Sequence, residues 1–594
     1  MAPKDQSTAN NQQSQKLLDW KLLKRLTPYI QHHSTLLGLA LFFMLGLDVT
    51  GVLHPYLIKV GIDQNVLNGD IEGLTQTCMT LGIVLVSNCL FFIVFTYTVE
   101  YLGQRLLFDL RLDLFKKVLA LSNNYFDVTA VGKTLTNVTN DVEAIREFIS
   151  QGIVTVAGDV LKLVFILGAM LLLNARLTLL AFITVPFFML ATRVFRKSIR
   201  NGYRGVRKAN AEINTSLVET ITGIKEIHLF THEAQSDKTF DSYNRHYLNS
   251  FLKVIHSYSL YFPIIEIISN VSMVMILVCM HFAIGKSVEI GVIFAFFSYI
   301  NMFFKPLRQM AEKFNMFQSA MAAAERVFTL LDEPIAITNP LSPKKLNGSF
   351  RGEVRFENVT FAYKPGNPVM KNISFTIEPG EKVAIVGHTG SGKTTMINLL
   401  NRLYDIQEGK ISIDGVNIKD YNMADLRQQI ATVPQDVFLF TGTVGENITL
   451  HDPRLSQQHI EYAAQQVYAD RYIDKLPKRY DENILEEGKL LSVGQRQLLG
   501  FARAFVRKPS IVILDEATSN IDSETEALIE AGVKNLLEGK TAIIIAHRLS
   551  TIKRVDRILV LHKGELVEEG SHEQLLQQGG LYQQLYEIQA LMLN

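Results

Sequence analysis

The sequence predicts a helical membrane domain of six spans, followed by an α/β domain with a phosphate-binding loop. The first half of the 594-residue chain holds six apolar runs, each with the roughly 20 residues that a helix needs to cross a bilayer core. The second half alternates short apolar strands with helical patterns and contains a glycine-rich loop. A chain of this length exceeds one hydrophobic core, so we expect separate domains.

The six predicted spans lie near 35–58, 76–100, 152–174, 177–198, 257–283 and 288–310. The connections after the second and fourth spans are long, helical in pattern and rich in Lys and Arg. The positive-inside rule places them in the cytoplasm, and an even number of spans returns the chain there. Around Trp20, apolar and basic residues alternate, which is typical of a helix at the membrane interface; a plain soluble helix is the alternative.

Several ionisable side chains fall inside or at the ends of the predicted spans. They are Asp48, Asp159, Lys162, Glu266, Lys305 and Arg308. A charge is costly against lipid, so we expect these groups to face the bundle interior, a water-filled path or the interface. Some could line a transport cavity, or all could form structural pairs, and the sequence does not separate these alternatives.

The predicted domain division has four parts. A tail and interfacial helix cover 1–34, the membrane domain covers 35–329, a linker covers 330–352, and the α/β domain covers 353–594. The linker prediction rests on Pro334, Pro340 and Pro343, because proline clusters favour extended connections.

Composition excludes several classes of function. The chain has 59 Lys and Arg against 58 Asp and Glu, which gives no sign of a nucleic-acid partner. Its three cysteines lie in apolar runs, which argues against a disulfide framework or a cysteine metal site. The polar N-terminus lacks a signal-peptide pattern, so we expect the first span to direct membrane insertion.

The clearest motif is a phosphate loop that follows the apolar strand 382–386 and precedes a helical pattern over 395–403. It reads Gly387, His388, Thr389, Gly390, Ser391, Gly392, Lys393, Thr394, with Thr395 next. Glycines let backbone N–H groups surround phosphate oxygens, and the helix N-terminus adds positive charge. In such loops the lysine reaches the β- and γ-phosphates and the hydroxyl ligates Mg²⁺. The motif predicts ATP and Mg²⁺ as ligands, with Lys393 and Thr394 in these two roles.

A second motif places two carboxylates at the end of an apolar strand. Residues 511–514 are Ile, Val, Ile and Leu, and Asp515 and Glu516 follow. Ligands of open α/β sheets bind at the carboxyl ends of the strands. We therefore predict that Asp515 holds Mg²⁺ and that Glu516 polarises the attacking water as general base.

A third motif, Leu491-Ser492-Val493-Gly494-Gln495, resembles the LSGGQ signature of the ATP-binding-cassette (ABC) superfamily. The resemblance implies that Tyr363 stacks on adenine and that Gln435 senses Mg²⁺ and touches the membrane domain. It implies that His547 contacts the γ-phosphate. The D-loop of the family would be Asn520, Ile521 and Asp522. Alone, Tyr363 reads as a core residue and His547 as a surface residue; the ordered set of motifs favours the functional interpretation.

Across its whole length the chain resembles ABC exporters of the type IV, multidrug-exporter-like fold. That family docks two cytoplasmic segments on its ATPase domains, here 125–132 and 214–226. Fusion of both domains on one chain favours export. The resemblance implies alternating access, hydrophobic small-molecule cargo, lipid contact, and a bacterial plasma membrane with the ATPase domain in the cytoplasm. A lipid or peptide translocator of the same fold stays open, as does an ATP-gated channel.

One residue departs from the family pattern. Val493 occupies a position that is usually glycine, and valine adopts positive φ only at a cost. In this family Ser492 and Gly494 serve the ATP site of a second half-transporter. The departure favours a heterodimer with one altered ATP site, and a homodimer is the alternative.

Overall fold

The computed structural model describes residues 20–279, 289–346, 348–484, 488, 491–515, 523–546 and 552–593. The chain divides into two compact units. The helical unit comprises Met1–Leu119 and Val131–Glu333, and the α/β unit comprises Ala120–Ala130 and Pro334–Asn594.

Long helices dominate the first 333 residues. They are α1 Trp20–His32, α2 Ser34–Val60, α3 Ile71–Ala120, α4 Asn123–Val128, α5 Val131–Thr136, α6 Val142–Glu147, α7 Thr155–Phe182, α8 Val185–Thr222, α9 Ile224–Leu229, α10 Glu233–Cys279 and α11 Ile290–Asp332. Three π-helical turns join some of them, at Gly61–Val66, Asn137–Asp141 and Phe148–Val154. Helix α4 belongs to the α/β unit because it lies within Ala120–Ala130.

Five helical segments among the described residues are long and apolar enough to cross a membrane. They are Ser34–Val66, Ile71–Ala120, Val131–Phe182, Glu233–Val278 and Ile290–Gln309. The predicted span at 177–198 does not appear as one uninterrupted helix. A turn at Ile183 and Thr184 separates α7 from α8, and α8 soon becomes basic at Arg193, Arg196 and Lys197. A bend at Asn174, whose backbone is non-helical, marks the short connection predicted between the third and fourth spans.

Polar contacts attach the interfacial helix α1 to the long helices. Arg25 forms a two-pronged ion pair with Asp332 near the end of α11, at 2.5 and 2.7 Å, and its guanidinium lies 4.3 Å from the centre of the Phe328 ring. The Tyr29 hydroxyl donates to Asp113 of α3 at 3.0 Å. Paired arginine–carboxylate bonds fix orientation as well as distance, so α1 has a defined position on the helical unit.

The ionisable residues predicted in the spans have different surroundings. Asp48 is buried, while Asp159 forms an ion pair with Lys313 of α11. Glu266 and Lys305 are exposed on the single chain. The ion pair with Lys313 therefore explains the charge at Asp159. Asp48 differs from the other residues of this set in being a buried carboxylate.

The α/β unit contains twelve strands among its described residues. They are β1 Val354–Phe361, β2 Met370–Ile377, β3 Lys382–Val386, β4 Glu408–Ile413, β5 Val416–Asn417, β6 Ile430–Val433, β7 Gly442–Thr443, β8 Asn483–Ile484, β9 Ile511–Asp515, β10 Thr541–Ile545, β11 Arg557–His562 and β12 Glu565–Gly570. The strand predicted at 382–386 is present as β3.

The helices of this unit follow the strands that they cover. They are α12 Lys393–Leu400, α13 Met423–Gln429, α14 Val444–Thr449, α15 Gln457–Gln466, α16 Asp470–Ile473, α17 Val493–Phe505 and α18 Ser523–Leu536, with two C-terminal helices at His572–Gln578 and Leu581–Leu593. Short 3₁₀ turns occupy Ile418–Asp420 and Arg479–Asp481.

The central sheet has the order β12-β11-β3-β10-β9-β6 and is parallel except for β12. Its inner strands β3, β9 and β10 are almost wholly buried, as expected when helices or a second sheet cover both faces. A second, antiparallel sheet has the order β2-β1-β4-β5. Its buried apolar side chains form one cluster with side chains of the central sheet. This arrangement brings the carboxyl ends of several parallel strands to one edge.

The predicted linker is partly ordered by neighbouring elements. Its first residues extend helix α11 to Asp332. Further on, the Thr338 carbonyl accepts a hydrogen bond from Arg402 at 3.0 Å. Lys344 forms an isolated parallel β-bridge with Tyr421 through the backbone. Most of this segment therefore runs along the α/β unit.

Candidate functional site

The phosphate loop and the first carboxylate lie at the same edge of the central sheet. Ile545 of β10 pairs with Ile385 of β3 on one side and with Asp515 of β9 on the other. Val433 of β6 pairs with Leu514, so Gln435, two residues later, follows the same edge. The sequence motifs therefore converge where parallel sheets bind ligands.

The phosphate loop combines a glycine that no other residue could replace with an exposed tip. Gly387 has φ +154°, and a Cβ atom there would lie 2.3 Å from the Leu561 carbonyl oxygen. Any side chain would collide with β11, so glycine is required at this position. The loop tip at His388, Thr389 and Gly390 is exposed and accessible to a ligand.

Lys393 begins helix α12 with its ammonium turned back into the loop. Its Nζ donates to the Gly387 carbonyl at 2.7 Å and to the His388 carbonyl at 3.1 Å. Burial lowers the pKa of the Lys393 ammonium, and the nearby Asp515 carboxylate acts against this shift. The two hydrogen bonds of the ammonium go to neutral carbonyls, which compensate a buried charge less well than an anion does, so an anionic ligand would stabilise it.

The polar groups around the loop fit ATP and Mg²⁺. The Ser391 hydroxyl is buried and has no hydrogen-bond partner among the described residues, which suits a phosphate oxygen as acceptor. Thr394 and Gln435 are exposed and Asp515 is half-buried. Hydroxyl, amide and carboxylate oxygens are the ligands that Mg²⁺ prefers. Thr395, by contrast, is buried and directed to Tyr363.

Tyr363 presents an aromatic face beside the loop. Its ring is 43% exposed, so the core interpretation does not apply. Its hydroxyl lies 3.2 Å from the Thr395 hydroxyl of α12, and Gln407 forms two 2.9 Å hydrogen bonds with the backbone of the preceding Ala362. The position and orientation of Tyr363 are therefore fixed, with ring surface left for a base.

Tyr404 and Asp127 extend this aromatic group toward helix α4. The Tyr363 and Tyr404 rings meet at 90°, with centroids 5.1 Å apart. The Tyr404 hydroxyl donates to the Asp127 carboxylate at 2.9 Å. Burial raises the pKa of Tyr404 to about 12, and the hydrogen bond to Asp127 adds to this effect. Helix α4 overlaps the segment 125–132 that was predicted to dock on an ATPase domain, and its Asp127 contacts the α/β unit.

No motif in the sequence indicated Tyr404 or Gln407 as a site residue. A single tyrosine after a helix resembles a core residue, and a single glutamine carries no pattern. Their roles depend on contacts between residues more than forty positions apart along the chain. The predicted docking segment did indicate Asp127, but the sequence did not show which residue Asp127 would contact.

The signature segment caps the N-terminus of helix α17. The Ser492 hydroxyl accepts from the Gln495 backbone N–H at 3.2 Å, and the Gln495 side chain accepts from the Ser492 N–H at 2.9 Å. Val493 is the first residue of α17 and has no positive φ; Gly494 is buried. A helical conformation suits valine, so the backbone at Val493 carries no positive-φ strain. Any effect of having valine at this position must therefore come from its side chain, and Val493 is 41% exposed.

Five predicted site residues fall outside the residues that the structure describes. They are Glu516, Asn520, Ile521, Asp522 and His547. The strands that lead to them, β9 and β10, end at the sheet edge described above.

Comparison with known proteins identifies the family. Residues 37–307 match the model of the ABC transporter transmembrane region, and residues 370–519 match the ABC transporter model. The chain is 37% identical to the probable multidrug resistance ABC transporter ATP-binding/permease protein YheH of Bacillus subtilis, over 88% of this chain and 77% of that protein.

Two further comparisons agree. The chain is 38% identical to a fatty acid ABC transporter ATP-binding/permease protein of Mycobacterium bovis, over 81% of this chain and 76% of that protein. The solved structure of a bacterial Atm1-family ABC exporter with ATP bound matches with a TM-score of 0.76 and 27% identity, over 96% of this chain and 99% of that one. The chain therefore belongs to the ABC transporter family, and it is a multi-pass membrane protein of the exporter fold with a transport-coupled ATPase domain.

Proposed function

We propose that this chain is one half of a dimeric transporter that exports hydrophobic or amphipathic compounds of the multidrug type across the plasma membrane. ATP binding closes the two ATPase domains on each other, the docked segments transmit that motion, and the spans change from inward-open to outward-open. Hydrolysis resets the cycle. A ligand can drive such a change only by binding the two states differently, and the γ-phosphate supplies that difference.

The observation that carries this proposal is the contact path from the nucleotide site to helix α4. Tyr363 contacts Tyr404, and Tyr404 binds Asp127. Asp127 lies in the connection between the second and third predicted spans, within the α/β unit. A base on Tyr363 is thereby one side chain away from the segment that joins two spans.

The proposed roles of the site residues follow from their chemistry. The loop 387–395 holds the phosphates, with Lys393 compensating their charge. Thr394, Gln435 and Asp515 hold Mg²⁺, which when bound neutralises charge on the phosphate oxygens. Glu516 and His547 complete the hydrolytic site.

The second half-transporter supplies the other side of each ATP site. Ser492, Gly494 and Gln495 serve the partner's nucleotide, and the Asn520–Ile521–Asp522 segment contacts the partner. We propose a different chain as partner, because the exposed Val493 side chain adds bulk beside Ser492 that a glycine would not. The reason is steric, since the backbone at Val493 is ordinary.

Transport in lipid vesicles tests the proposed function. Glu516→Gln should abolish ATP-dependent uptake of a hydrophobic dye into inside-out vesicles and should reduce ATP turnover by at least about 100-fold, as expected for loss of a general base. Glu524→Gln is the matched control, because Glu524 is an exposed carboxylate at the start of α18. Full dye transport by the Glu516→Gln transporter would refute the mechanism.

A lipid translocator is the second candidate. It is supported by the relative described as a fatty acid ABC transporter, at 38% identity. In this case long-chain fatty acids or phospholipids should stimulate ATP turnover several-fold, whereas hydrophobic dyes should not. Stimulation by dyes alone would exclude this candidate.

A further inference from the structure

Helix α1 follows the side of helix α3 through two polar contacts and passes directly into α2. A single residue, His33, separates α1 from α2, and its imidazole lies 2.9 Å from the Asp109 carboxylate of α3. Four residues earlier in α1, the Tyr29 hydroxyl reaches Asp113, which lies four residues later in α3. Residues four apart lie on one face of a helix, so matched faces of α1 and α3 run antiparallel along each other.

The next position on this face of α1 is Arg25, which contacts the last turn of α11. Its guanidinium forms the two-pronged ion pair with Asp332 and lies over the Phe328 ring. The hydrogen bonds from Arg25 lower the pKa of the Asp332 carboxyl, and the charge of Lys117 near the end of α3 adds to this effect. Helices α1, α3 and α11 therefore meet around Asp332.

Asp332 lies next to the boundary between the two units of the chain. It is the final residue of α11, the helical unit ends at Glu333, and the α/β unit resumes at Pro334. A displacement of the ATPase domain that travels along the backbone therefore enters the helical unit at this point. A side chain that holds Asp332 can pass part of that displacement to other helices.

The pair between Arg25 and Asp332 is too exposed to serve mainly as a source of stability. The Arg25 side chain is 40% exposed and that of Asp332 is 60% exposed, and ion pairs of this kind contribute little to the free energy of unfolding. Leu26, the next residue of α1, is 3% exposed and supplies an apolar anchor for this helix. The two-pronged geometry instead fixes the orientation of α1 relative to α11.

We propose that α1 is a coupling element in its own right, which passes movement at the end of α11 through Arg25 and Tyr29 to the first two spans. The inference rests on the proposed export function and deepens it by adding a second route between the ATPase domain and the spans. Arg25 and Tyr29 act here as positioning residues, through the helices that they hold. This route does not use the contact between Tyr404 and Asp127, so either route can fail without the other.

Charge reversal tests this route in the full-length transporter. The readout is the amount of the fluorescent dye ethidium moved into inside-out lipid vesicles per ATP hydrolysed. Arg25→Asp should lower this ratio by about three- to fivefold, the most that loss of an exposed ion pair accounts for. Asp332→Arg should lower it similarly, and the double variant, which restores the pair in reverse order, should recover most of the loss.

Arg454→Glu is the matched control for these variants. It breaks another exposed two-pronged Arg–Asp pair, which joins two positions of one loop rather than two helices, and it should leave the ratio unchanged. The ratio is informative because a merely structural defect would lower dye transport and ATP turnover together.

Tyr29→Phe tests the route without changing a charge, and it serves alone if the charge-reversed proteins fail to fold. It removes only the hydroxyl that contacts Asp113 and should lower the ratio by about twofold. The proposal is overturned if the single variants, Tyr29→Phe included, keep the ratio of the unmodified protein, if the double variant recovers none of the loss, or if Arg454→Glu causes an equal loss. Ethidium transport by the unmodified protein supports the export function whichever of these results is found.

Discussion

The surroundings of Lys393 differ from those that its proposed role in phosphate binding requires. Its ammonium is buried and held by two carbonyl oxygens of its own loop, and burial lowers its pKa. Neutral acceptors compensate a buried charge less well than an anion does. ATP should therefore stabilise the protein largely through this one group.

Thermal unfolding of Lys393→Met tests this expectation. Saturating ATP should raise the melting temperature of the unmodified protein by about 5–10 °C, whereas the variant should show little shift. Without nucleotide the variant should melt within about 3 °C of the unmodified protein, because methionine removes the cost of burying a charge together with the contacts that partly compensate it. Lys410→Met, at a partly exposed lysine of β4, should keep the full ATP shift. A normal ATP shift in Lys393→Met would contradict the assignment.

For single residues, the sequence predicts which type of side chain a site needs more reliably than it predicts the contacts of that side chain. The loop motif located Lys393 and Gly387 because phosphate binding demands a fixed spacing of glycine and lysine. It could not reveal that Leu561 forces glycine at 387, because that contact joins distant parts of the chain.

Helix α4 is a short element that makes polar contacts with the rest of the α/β unit. Its Asp127 accepts from Tyr404, while the Tyr404 ring packs on Tyr363. The sequence indicated a docking segment here, but the surface that receives it is built from residues on separate loops. Only the folded α/β unit brings them together.

Loss of the Asp127–Tyr404 contact should reduce coupling of hydrolysis to transport. Removing a hydrogen bond of about 1 kcal/mol should lower the amount of cargo moved per ATP by roughly fivefold in Tyr404→Phe and in Asp127→Ala. The double variant should be no worse than either single one, since both remove the same interaction. Tyr421→Phe, which removes a tyrosine hydrogen bond elsewhere in the unit, should transport normally. Additive losses in the double variant would show that the two residues act independently.

The element order of the whole molecule was predictable, whereas the course of the fourth predicted span was not read correctly. Apolar runs and the strand–loop–helix pattern predict a membrane domain followed by an α/β domain. The fourth predicted span is interrupted at Ile183 and Thr184, where Pro186 lies in the first turn of α8. Proline cannot donate the backbone hydrogen bond of a continuous helix, and hydropathy alone does not register this.

The proposed dimer of two half-transporters leads to a prediction about Val493. Its backbone is helical, so any defect in the ATP site that this signature completes must come from the side chain. When this chain is purified alone, Val493→Ala should raise ATP turnover as much as Val493→Gly does, by several-fold. A rise with glycine only would indicate a backbone effect. Full turnover by the unmodified chain alone would indicate a homodimer.

Helix α3 runs unbroken for 50 residues, or about 75 Å at 1.5 Å per residue. A bilayer core spans only about 30 Å, so more than half of this rod projects beyond the lipid. With a pivot inside the membrane, a tilt of about 5° would move the far tip by roughly 4 Å over the projecting length. Under the proposed function, a shift of a few ångströms at that tip corresponds to a rotation of only a few degrees among the spans.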